Sequence, residues 1–168
     1  MKNLTSKSAR LLLAIVVLTS CIGCDQAAKR FATAQLRGAP PQSYLSGLVR
    51  LQFAQNPGGF LSVGEELSHQ MRFALFTLGN LAFLAAIAGF LARRWNMRLT
   101  LFVGTLLLLA GGAGNLIDRL LHQGRVVDFL ILGAWPIQTG IINLADVALT
   151  AGAITCALIY CRASAAKS

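Results

Sequence analysis

The chain has 168 residues, of which 55% are hydrophobic and 12% are charged. This balance, with a mean hydropathy of +0.63, excludes an ordinary water-soluble domain and is typical of a membrane protein. The formal net charge of +9 does not indicate a nucleic-acid partner. The basic residues flank apolar segments instead of forming a basic face interleaved with stacking aromatic residues.

The first apolar segment, residues 11–24, carries no charge but is short for a membrane-spanning helix. It crosses the bilayer only if its helix continues past Asp25, and on that basis we predict a first span over about residues 10–30. The same region also has the pattern of a secretory signal. Within it, Leu18-Thr19-Ser20-Cys21 resembles the motif at which bacterial lipoproteins are lipidated. The three apolar segments that follow favour an uncleaved membrane anchor.

The segment over about residues 31–71 is predicted to form an extracytoplasmic insertion. Residues 49–53 alternate apolar and polar side chains, as a half-buried strand does. Asn56-Pro57-Gly58-Gly59 follows, with proline and glycine at the positions that a type II turn requires. We therefore expect a small sheet that lies on the outer membrane surface.

Three further spans are predicted over about residues 72–92, 99–119 and 140–161. Each contains an apolar stretch long enough to cross ~30 Å of hydrocarbon as a helix. The sequence thus predicts one integral-membrane domain over residues 1–168. Its fold class is an all-α membrane protein with four transmembrane helices and a small extracytoplasmic β-sheet or loop element between helices 1 and 2.

The distribution of charge predicts how the chain is oriented. If it starts in the cytoplasm and crosses four times, its short inner segments hold no acidic residue and eight basic ones: Lys2, Lys7, Arg10, Arg93, Arg94, Arg98, Arg162 and Lys167. Because short cytoplasmic segments of membrane proteins are enriched in lysine and arginine, we expect both termini in the cytoplasm. Every acidic residue then falls on the outer side of the membrane.

Two aspartates have the properties of a catalytic pair. Asp146 is the one charged residue between Phe129 and Cys161, and a carboxylate at membrane depth is costly enough to suggest a function. Asp128 precedes this apolar stretch. Two neighbouring carboxylates tend to share one proton, so that one takes a proton from water while the other polarises an amide carbonyl. The spacing allows Asp128 and Asp146 to meet but does not require it.

Other polar residues lie near the outer ends of the last two predicted spans. If the third helix continues past its glycine-rich end, Asn115, Asp118 and Arg119 share one face at helical spacing. Asn143 and Asp146 are likewise three residues apart. Two helix ends therefore offer amide, guanidinium and carboxylate groups that could converge.

The sequence predicts no metal site and no cofactor. Cys21 and Cys24 form a C-x-x-C pair, but Cys156 and Cys161 lie near the opposite membrane face, so the four cannot bind one zinc ion. We interpret them as apolar thiols.

Five blocks occur in order along the chain and carry a resemblance to a known family. They are Asp25-Gln26-Ala27-Ala28-Lys29, Asn56-Pro57-Gly58-Gly59-Phe60, Gly111-Gly112-Ala113-Gly114-Asn115-Leu116-Ile117-Asp118-Arg119, Val126-Val127-Asp128-Phe129 and Asn143-Leu144-Ala145-Asp146. Together they resemble the signature blocks of bacterial lipoprotein signal peptidase (signal peptidase II), over about residues 10–160. The chain departs from the family pattern at two places. Position 142 is isoleucine where the family usually has phenylalanine, and the block that begins at Asn56 contains Pro57 and a second glycine, Gly59.

The resemblance implies an aspartyl endopeptidase of the bacterial inner membrane, with its active site at the outer, periplasmic face. Such enzymes cut diacylglyceryl-modified prolipoproteins on the amino side of the lipidated cysteine. The implied partners are these signal peptides and membrane lipid, the implied state is a monomer, and globomycin-type peptides are expected to inhibit at the dyad. The implied catalytic residues are Asp128 and Asp146, and the implied substrate-binding or supporting residues are Asn56, Gly58, Asn115, Arg119, Asn143, Asp25 and Lys29.

Other interpretations of the aspartates stay open at the level of sequence. Each could be structural, neutralised by Arg119, Arg125 or a helix N-terminus. The chain could then be a small four-helix transporter or ion-pathway protein, or a structural membrane subunit. A transporter predicts polar residues deep within several spans, whereas Asn80 is the main deep polar residue here.

Overall fold

A computed structural model of the chain describes residues 6–59, 64 and 66–165. Lys2, Lys167 and Phe60, which the sequence interpretation used, lie outside these residues. Within them, the structure contains four helices long and apolar enough to cross a membrane, which confirms the predicted fold class. They are α1 (Lys7–Gln35), α2 (His69–Arg93), α3 (Leu99–Leu121) and α4 (Leu144–Ala165).

Helix α1 continues well past Asp25, as its short uncharged segment requires for a span. Ser6 begins it by accepting a hydrogen bond from the backbone N–H of Ala9 at 3.1 Å. The charges of Asp25 and Lys29 are buried on the inward face of this helix, where they form an ion pair at 2.8 Å. Their pairing allows a helix with internal charges to pack against the rest of the bundle.

Helix α2 contains a wider turn over Phe73–Leu78, with π-helical hydrogen bonding. Such turns are rare and are often found at functional sites. Here the turn brings Phe76 against the loop that follows Asn56, since a side chain at Gly59 would collide with the Phe76 ring. The wide turn thus forms one wall of the end of the bundle that holds the sheet, which the charge distribution predicts to be the outer end.

Helix α3 lies at the centre and packs against the other three helices. Its contact with α4 is close because glycines face the neighbouring backbone on both helices. A Cβ atom at Gly111 would overlap the carbonyl oxygen of Ala145, and one at Gly152 would lie 2.7 Å from the carbonyl oxygen of Gly104. Small residues permit this approach, which drives helix association in lipid.

Arg10 holds the end of the bundle that contains the connector between α2 and α3, which the charge distribution predicts to be the inner end. Its guanidinium donates to the carbonyl oxygens of Trp95 and Met97 at 2.6 and 2.8 Å and lies over the ring of Phe102. These bonds join α1 to the connector between α2 and α3. One basic residue therefore satisfies two carbonyl groups of this connector.

The outer element is a four-stranded antiparallel sheet in the order β1 (Gln42–Tyr44), β2 (Val49–Asn56), β3 (Val126–Ala134) and β4 (Ile137–Gln138). It includes the strand predicted at residues 49–53. Half of it, however, comes from the connector between α3 and α4 rather than from the insertion between helices 1 and 2. Long-range pairing of β2 with β3 brings Asn56 opposite Val126, two residues from Asp128.

The predicted type II turn at Asn56-Pro57-Gly58-Gly59 is wrong. Gly58 does not adopt the positive φ that this turn needs. Instead, the side-chain oxygen of Asn56 accepts a hydrogen bond from the backbone N–H of Gly58 at 2.9 Å. An asparagine side chain can replace a backbone group in this way, and here it leaves the Asn56 amide nitrogen free to bond elsewhere.

Helix α4 begins at Leu144, a few residues later than the start of the predicted fourth span. The preceding residues are used by the sheet, because Ile142 pairs with Leu130 of β3. The sheet itself packs on the outer end of α1, through a cluster of Ala32, Leu36 and Phe129. The ends of β2, β3, α3 and α4 consequently meet at one place.

Candidate active site

Asn143 joins the two aspartates that the sequence singled out. Its side-chain amide donates to Asp128 Oδ1 at 2.6 Å, and its backbone N–H donates to Asp146 Oδ2 at 3.2 Å. Its side-chain oxygen accepts from the backbone N–H of Asp146 at 2.9 Å, as an N-cap of α4 does. Two carboxylates from different elements are thus placed on either side of one fully buried asparagine.

Asp128 lies on β3 and is 2% exposed. Asn56, at the end of β2, donates to its second oxygen, Oδ2, at 3.0 Å. Burial raises the pKa of Asp128 to about 6; the charge of Asp146 adds to this, while the bonds from Asn56 and Asn143 and the charge of Lys29 oppose it. The pKa of Asp128 therefore lies above its usual range.

Asp146 lies in the first turn of α4, where the helix N-terminus favours a negative charge. Asn115 of α3 donates to its Oδ1 at 2.9 Å. The side-chain oxygen of the same asparagine accepts from Lys29 at 3.1 Å and from Asn143 at 3.2 Å. Every polar atom of the Asn115 side chain is in use, which fixes the orientation of its amide.

Behind Asn115 lies a buried charge cluster. Lys29 forms ion pairs with Asp25 at 2.8 Å and with Asp118 at 3.2 Å. Gln26 donates to Asp118 Oδ1 at 3.0 Å. The sequence placed Gln26 in a signature block without giving it a role, and no local pattern marks it as a partner of a residue on α3. Asp118 thus pairs with a basic residue of another helix.

Arg119 lies on the other side of Asn115 and contacts the loop after β2. Its Nη2 donates to the carbonyl oxygen of Gly58 at 3.0 Å, and its guanidinium lies 6.0 Å from the ring centre of Phe76. Its buried Nε has no hydrogen-bond partner among the described residues. An unsatisfied buried donor is costly, so a partner that reached this N–H would stabilise the site.

A cavity of about 310 Å³ opens beside Asp146 and Arg119. Its walls come from α2, α3 and α4, and its apolar side is formed by Leu75, Phe83 and Leu149. The sequence did not indicate the wall from α2. Within this wall, Asn80 of α2 donates to the carbonyl oxygen of Gly112 on α3 at 2.9 Å.

The structure thus brings together all the predicted site residues. Asn56, Asn115 and Asn143 contact the two carboxylates directly. Gly58 and Arg119 form the adjacent wall, and Asp25 and Lys29 belong to the charge cluster behind it.

The chain matches the family model described as Signal peptidase (SPase) II over residues 16–162. It is 34% identical over 145 residues to the lipoprotein signal peptidase of Streptococcus pneumoniae (strain ATCC BAA-255 / R6), a match that covers 86% of this chain and 89% of that protein. It is 40% identical over 124 residues to the lipoprotein signal peptidase of Burkholderia cenocepacia (strain HI2424), covering 71% and 69%.

Two solved structures of bacterial membrane enzymes share the fold. One is matched with a TM-score of 0.79 at 26% identity, over 93% of this chain and 92% of that one. The other is matched with a TM-score of 0.74 at 27% identity, over 88% and 92%.

Proposed function

The chain belongs to the signal peptidase II family, and from this premise we propose that it is an aspartyl endopeptidase with Asp128 and Asp146 as its catalytic pair. Its substrates are diacylglyceryl-modified prolipoproteins, which it cuts on the amino side of the lipidated cysteine. The observation that carries this proposal is the bridge through Asn143, which holds two buried carboxylates around one point.

The chemistry follows from two carboxylates that hold one proton between them. The ionised carboxylate takes a proton from water, and the water oxygen attacks the peptide carbonyl carbon. The protonated carboxylate donates a hydrogen bond to the carbonyl oxygen, which becomes negative during the attack. When the C–N bond breaks, the leaving nitrogen receives a proton from the pair. No covalent enzyme intermediate forms.

The cavity beside Asp146 suits an amphiphilic substrate that arrives from the membrane. Its apolar wall can contact acyl chains or apolar side chains, while Asn115, Arg119 and Asp146 form its polar part. A peptide carbonyl bound at this polar part would lie next to Asp146. Globomycin-type peptides, which are expected to compete for the same place, would then act as inhibitors.

The orientation predicted from charge places this site at the periplasmic face of the inner membrane. The four carboxylates of the site and its charge cluster all lie at the same end of the bundle. Arg10 and Arg98 lie at the opposite end, where a cytoplasmic connector is enriched in basic residues. We propose that both termini are cytoplasmic and that the chain acts as a monomer.

Cleavage of a purified precursor tests the proposal. We expect Asp128→Asn and Asp146→Asn each to abolish processing of a lipidated prolipoprotein. In either variant only one carboxylate of the pair remains, so no proton can be shared between two carboxylates. Wild-type protein should process lipidated precursor and leave the unlipidated form intact, as measured by gel shift and the mass of the product.

Glu66→Gln is the matched control, because it removes an exposed carboxylate that lies outside the site. It should process the precursor at the wild-type rate. Near-normal processing by either aspartate variant, in protein with unchanged thermal unfolding, would refute the catalytic pair.

A further inference from the structure

Two buried carboxylates hold the backbone immediately before each catalytic aspartate. Asp25 Oδ1 accepts from the N–H of Ala145 at 2.9 Å, and Ala145 directly precedes Asp146. Asp118 Oδ2 accepts from the N–H of Val127 at 2.9 Å, and Val127 directly precedes Asp128. The start of α4 and the start of β3 are therefore each fixed by a charge-assisted hydrogen bond.

Both of these carboxylates are paired with the same ammonium group. Lys29 Nζ lies 2.8 Å from Asp25 Oδ2 and 3.2 Å from Asp118 Oδ2. Its third bond goes to Asn115 Oδ1, at 3.1 Å. An ammonium has three donors, so all three are used within this group. Lys29 is 3% exposed, and each of the two aspartates is 1% exposed.

The bond from Lys29 also decides which way the Asn115 amide points. Because the ammonium can only donate, it requires the oxygen of Asn115 on its own side. The Asn115 nitrogen must then face the opposite direction, where it donates to Asp146 Oδ1. A flipped amide would place its nitrogen against the ammonium and its oxygen against a carboxylate.

On the basis of the proposed function, we propose that Lys29 is the positioning residue of the catalytic pair. One ammonium, through Asp25 and Asp118, sets the spacing between the backbone segments that carry Asp146 and Asp128. Through Asn115 it also holds the side chain of Asp146. Lys29 bonds to Asp25, Asp118 and Asn115 rather than to either aspartate of the pair, and it positions both through these residues of α1 and α3.

Close packing supports this arrangement. A Cβ atom at Gly114 would lie 2.8 Å from Asp25 Oδ2, so the glycine provides the space that the carboxylate occupies. Gln26 donates to Asp118 and restricts that carboxylate from the side. The side chains of the charge cluster are therefore held by packing as well as by ion pairs. Groups that position catalytic residues to within a fraction of an ångström need such support.

A cavity next to Lys29 makes the proposal testable by chemical rescue. It has a volume of about 270 Å³ and is lined by Lys29, Arg30, Thr33 and His122, among others. Replacing Lys29 with alanine removes three methylene groups and the ammonium, and n-propylammonium restores a group of the same size and charge. The cavity gives such an ion a place from which to reach Asp25 and Asp118.

The experiment compares wild type and Lys29→Ala on lipidated precursor. We expect kcat to fall by ~10²-fold, as small misplacements of catalytic groups do, with KM unchanged. Added n-propylammonium should recover a saturable part of the lost kcat, whereas n-propanol, of similar size and uncharged, should not. Arg30→Ala, which removes an exposed charge from the same cavity, should keep wild-type kcat.

A second pair of variants keeps the proposal testable if Lys29→Ala does not fold. Asparagine at position 25 or 118 keeps an oxygen that can accept the backbone N–H, and alanine does not. We therefore expect Asp25→Asn and Asp118→Asn to retain at least tenfold more kcat than the corresponding alanine variants. Equal loss in the asparagine and alanine variants would overturn the positioning role.

The outcomes separate the two proposals. If wild type does not process the lipidated precursor, the proposed function fails. If wild type is active and folded Lys29→Ala is equally active, or inactive without recovery in n-propylammonium, the function stands and the positioning role of Lys29 is wrong.

Discussion

Asn56 shows how much one side chain contributes to this site. It ends β2, accepts from the N–H of Gly58 and donates to the carbonyl oxygen of Gly59 at 3.0 Å. The same amide nitrogen donates to Asp128. The residue thus shapes the loop that supports Arg119 and also stabilises the ionised form of Asp128. A single asparagine at this position connects the fold of the loop with the acidity of Asp128.

The pH dependence of cleavage should report on this bond. The pKa of Asp128 is about 6 and is raised in part by the charge of Asp146, so its titration removes the proton that the two carboxylates share. We therefore expect kcat/KM to fall as pH rises through a limb near pH 6, with an apparent pKa that belongs to the pair. The Asn56 amide favours the ionised carboxylate, so Asn56→Ala should raise the pKa and move this limb to higher pH. The pH profile of cleavage measures the shift.

Gln55→Ala is the control for this prediction. Gln55 is the neighbouring residue on the strand, and its side chain accepts from Arg125 instead of contacting an aspartate. Its replacement should leave the limb where it is in wild type. A limb that stays in place in Asn56→Ala would show that this hydrogen bond does not influence the titrating group.

At the scale of elements, the close contact between α3 and α4 sets the position of the helix that carries Asp146. Gly111 is packed against the carbonyl oxygen of Ala145 and the side chain of Leu149. Ala145 is also the residue whose N–H is held by Asp25. The first turn of α4 is consequently fixed from two sides, by packing on α3 and by a hydrogen bond to α1.

Adding a methyl group at this contact should displace α4. We expect Gly111→Ala to destabilise the protein by about 1–3 kcal/mol, as overpacking does, and to lower kcat because Asp146 moves with the helix. Thermal unfolding and cleavage of the precursor measure the two effects. Gly89→Ala is the control, since a Cβ at Gly89 meets nothing within 4 Å. Unchanged stability in Gly111→Ala would contradict the predicted overpacking between α3 and α4.

At the scale of the whole molecule, one face of α3 is left open between α2 and α4. The cavity beside Asp146 lies at the sheet end of this face, over Asn115 and Arg119. A second, largely apolar cavity of about 650 Å³ lies towards the inner end, over Leu101 and Thr105. These residues repeat at helical spacing, so the two cavities follow one side of α3. From Leu101 to Asn115 the face extends ~21 Å along the helix.

That length matches the 7–15-residue apolar core of a signal peptide in helical form. If the proposed function holds, the apolar helix of the precursor should lie along this face, with its cleavage site at Asp146. Cys156 lines the inner cavity, about ten residues or ~15 Å below Asp146 along α4. A cysteine placed about ten residues before the cleavage site of the precursor should therefore form a disulfide with Cys156.

The measurement uses an inactive Asp128→Asn background that retains Cys156 alone, with a series of single cysteines along the precursor. A matched protein retains only Cys161, which is exposed on another side of α4. Cross-linking after mild oxidation should peak at one register with Cys156 and be weak with Cys161. Equal yields with both proteins would place the precursor elsewhere.

The sequence by itself determined the four apolar helices, the predicted orientation and the residue types of the site. Hydropathy and charge are properties of local segments, so they can be read without knowing which segments touch. The span in α1 is less evident from hydropathy than the other three, because Asp25 and Lys29 end its uncharged segment after residue 24. Only their pairing with each other and with Asp118, across two helices, makes them compatible with a buried position.

Only the tertiary structure decided that Asp128 and Asp146 are joined through Asn143, and that Lys29 lies behind both. The contacts of Asp128 with Asn56, and of Ala145 with Asp25, connect residues far apart in the chain. No local pattern sets such distances, because they result from the pairing of β2 with β3 and the packing of α3 on α1 and α4. For the same reason, the turn after Asn56 could not be predicted from its proline and glycines. The geometry of this turn is set by the hydrogen bonds of the Asn56 side chain. One of them goes to Asp128, which is distant in the sequence.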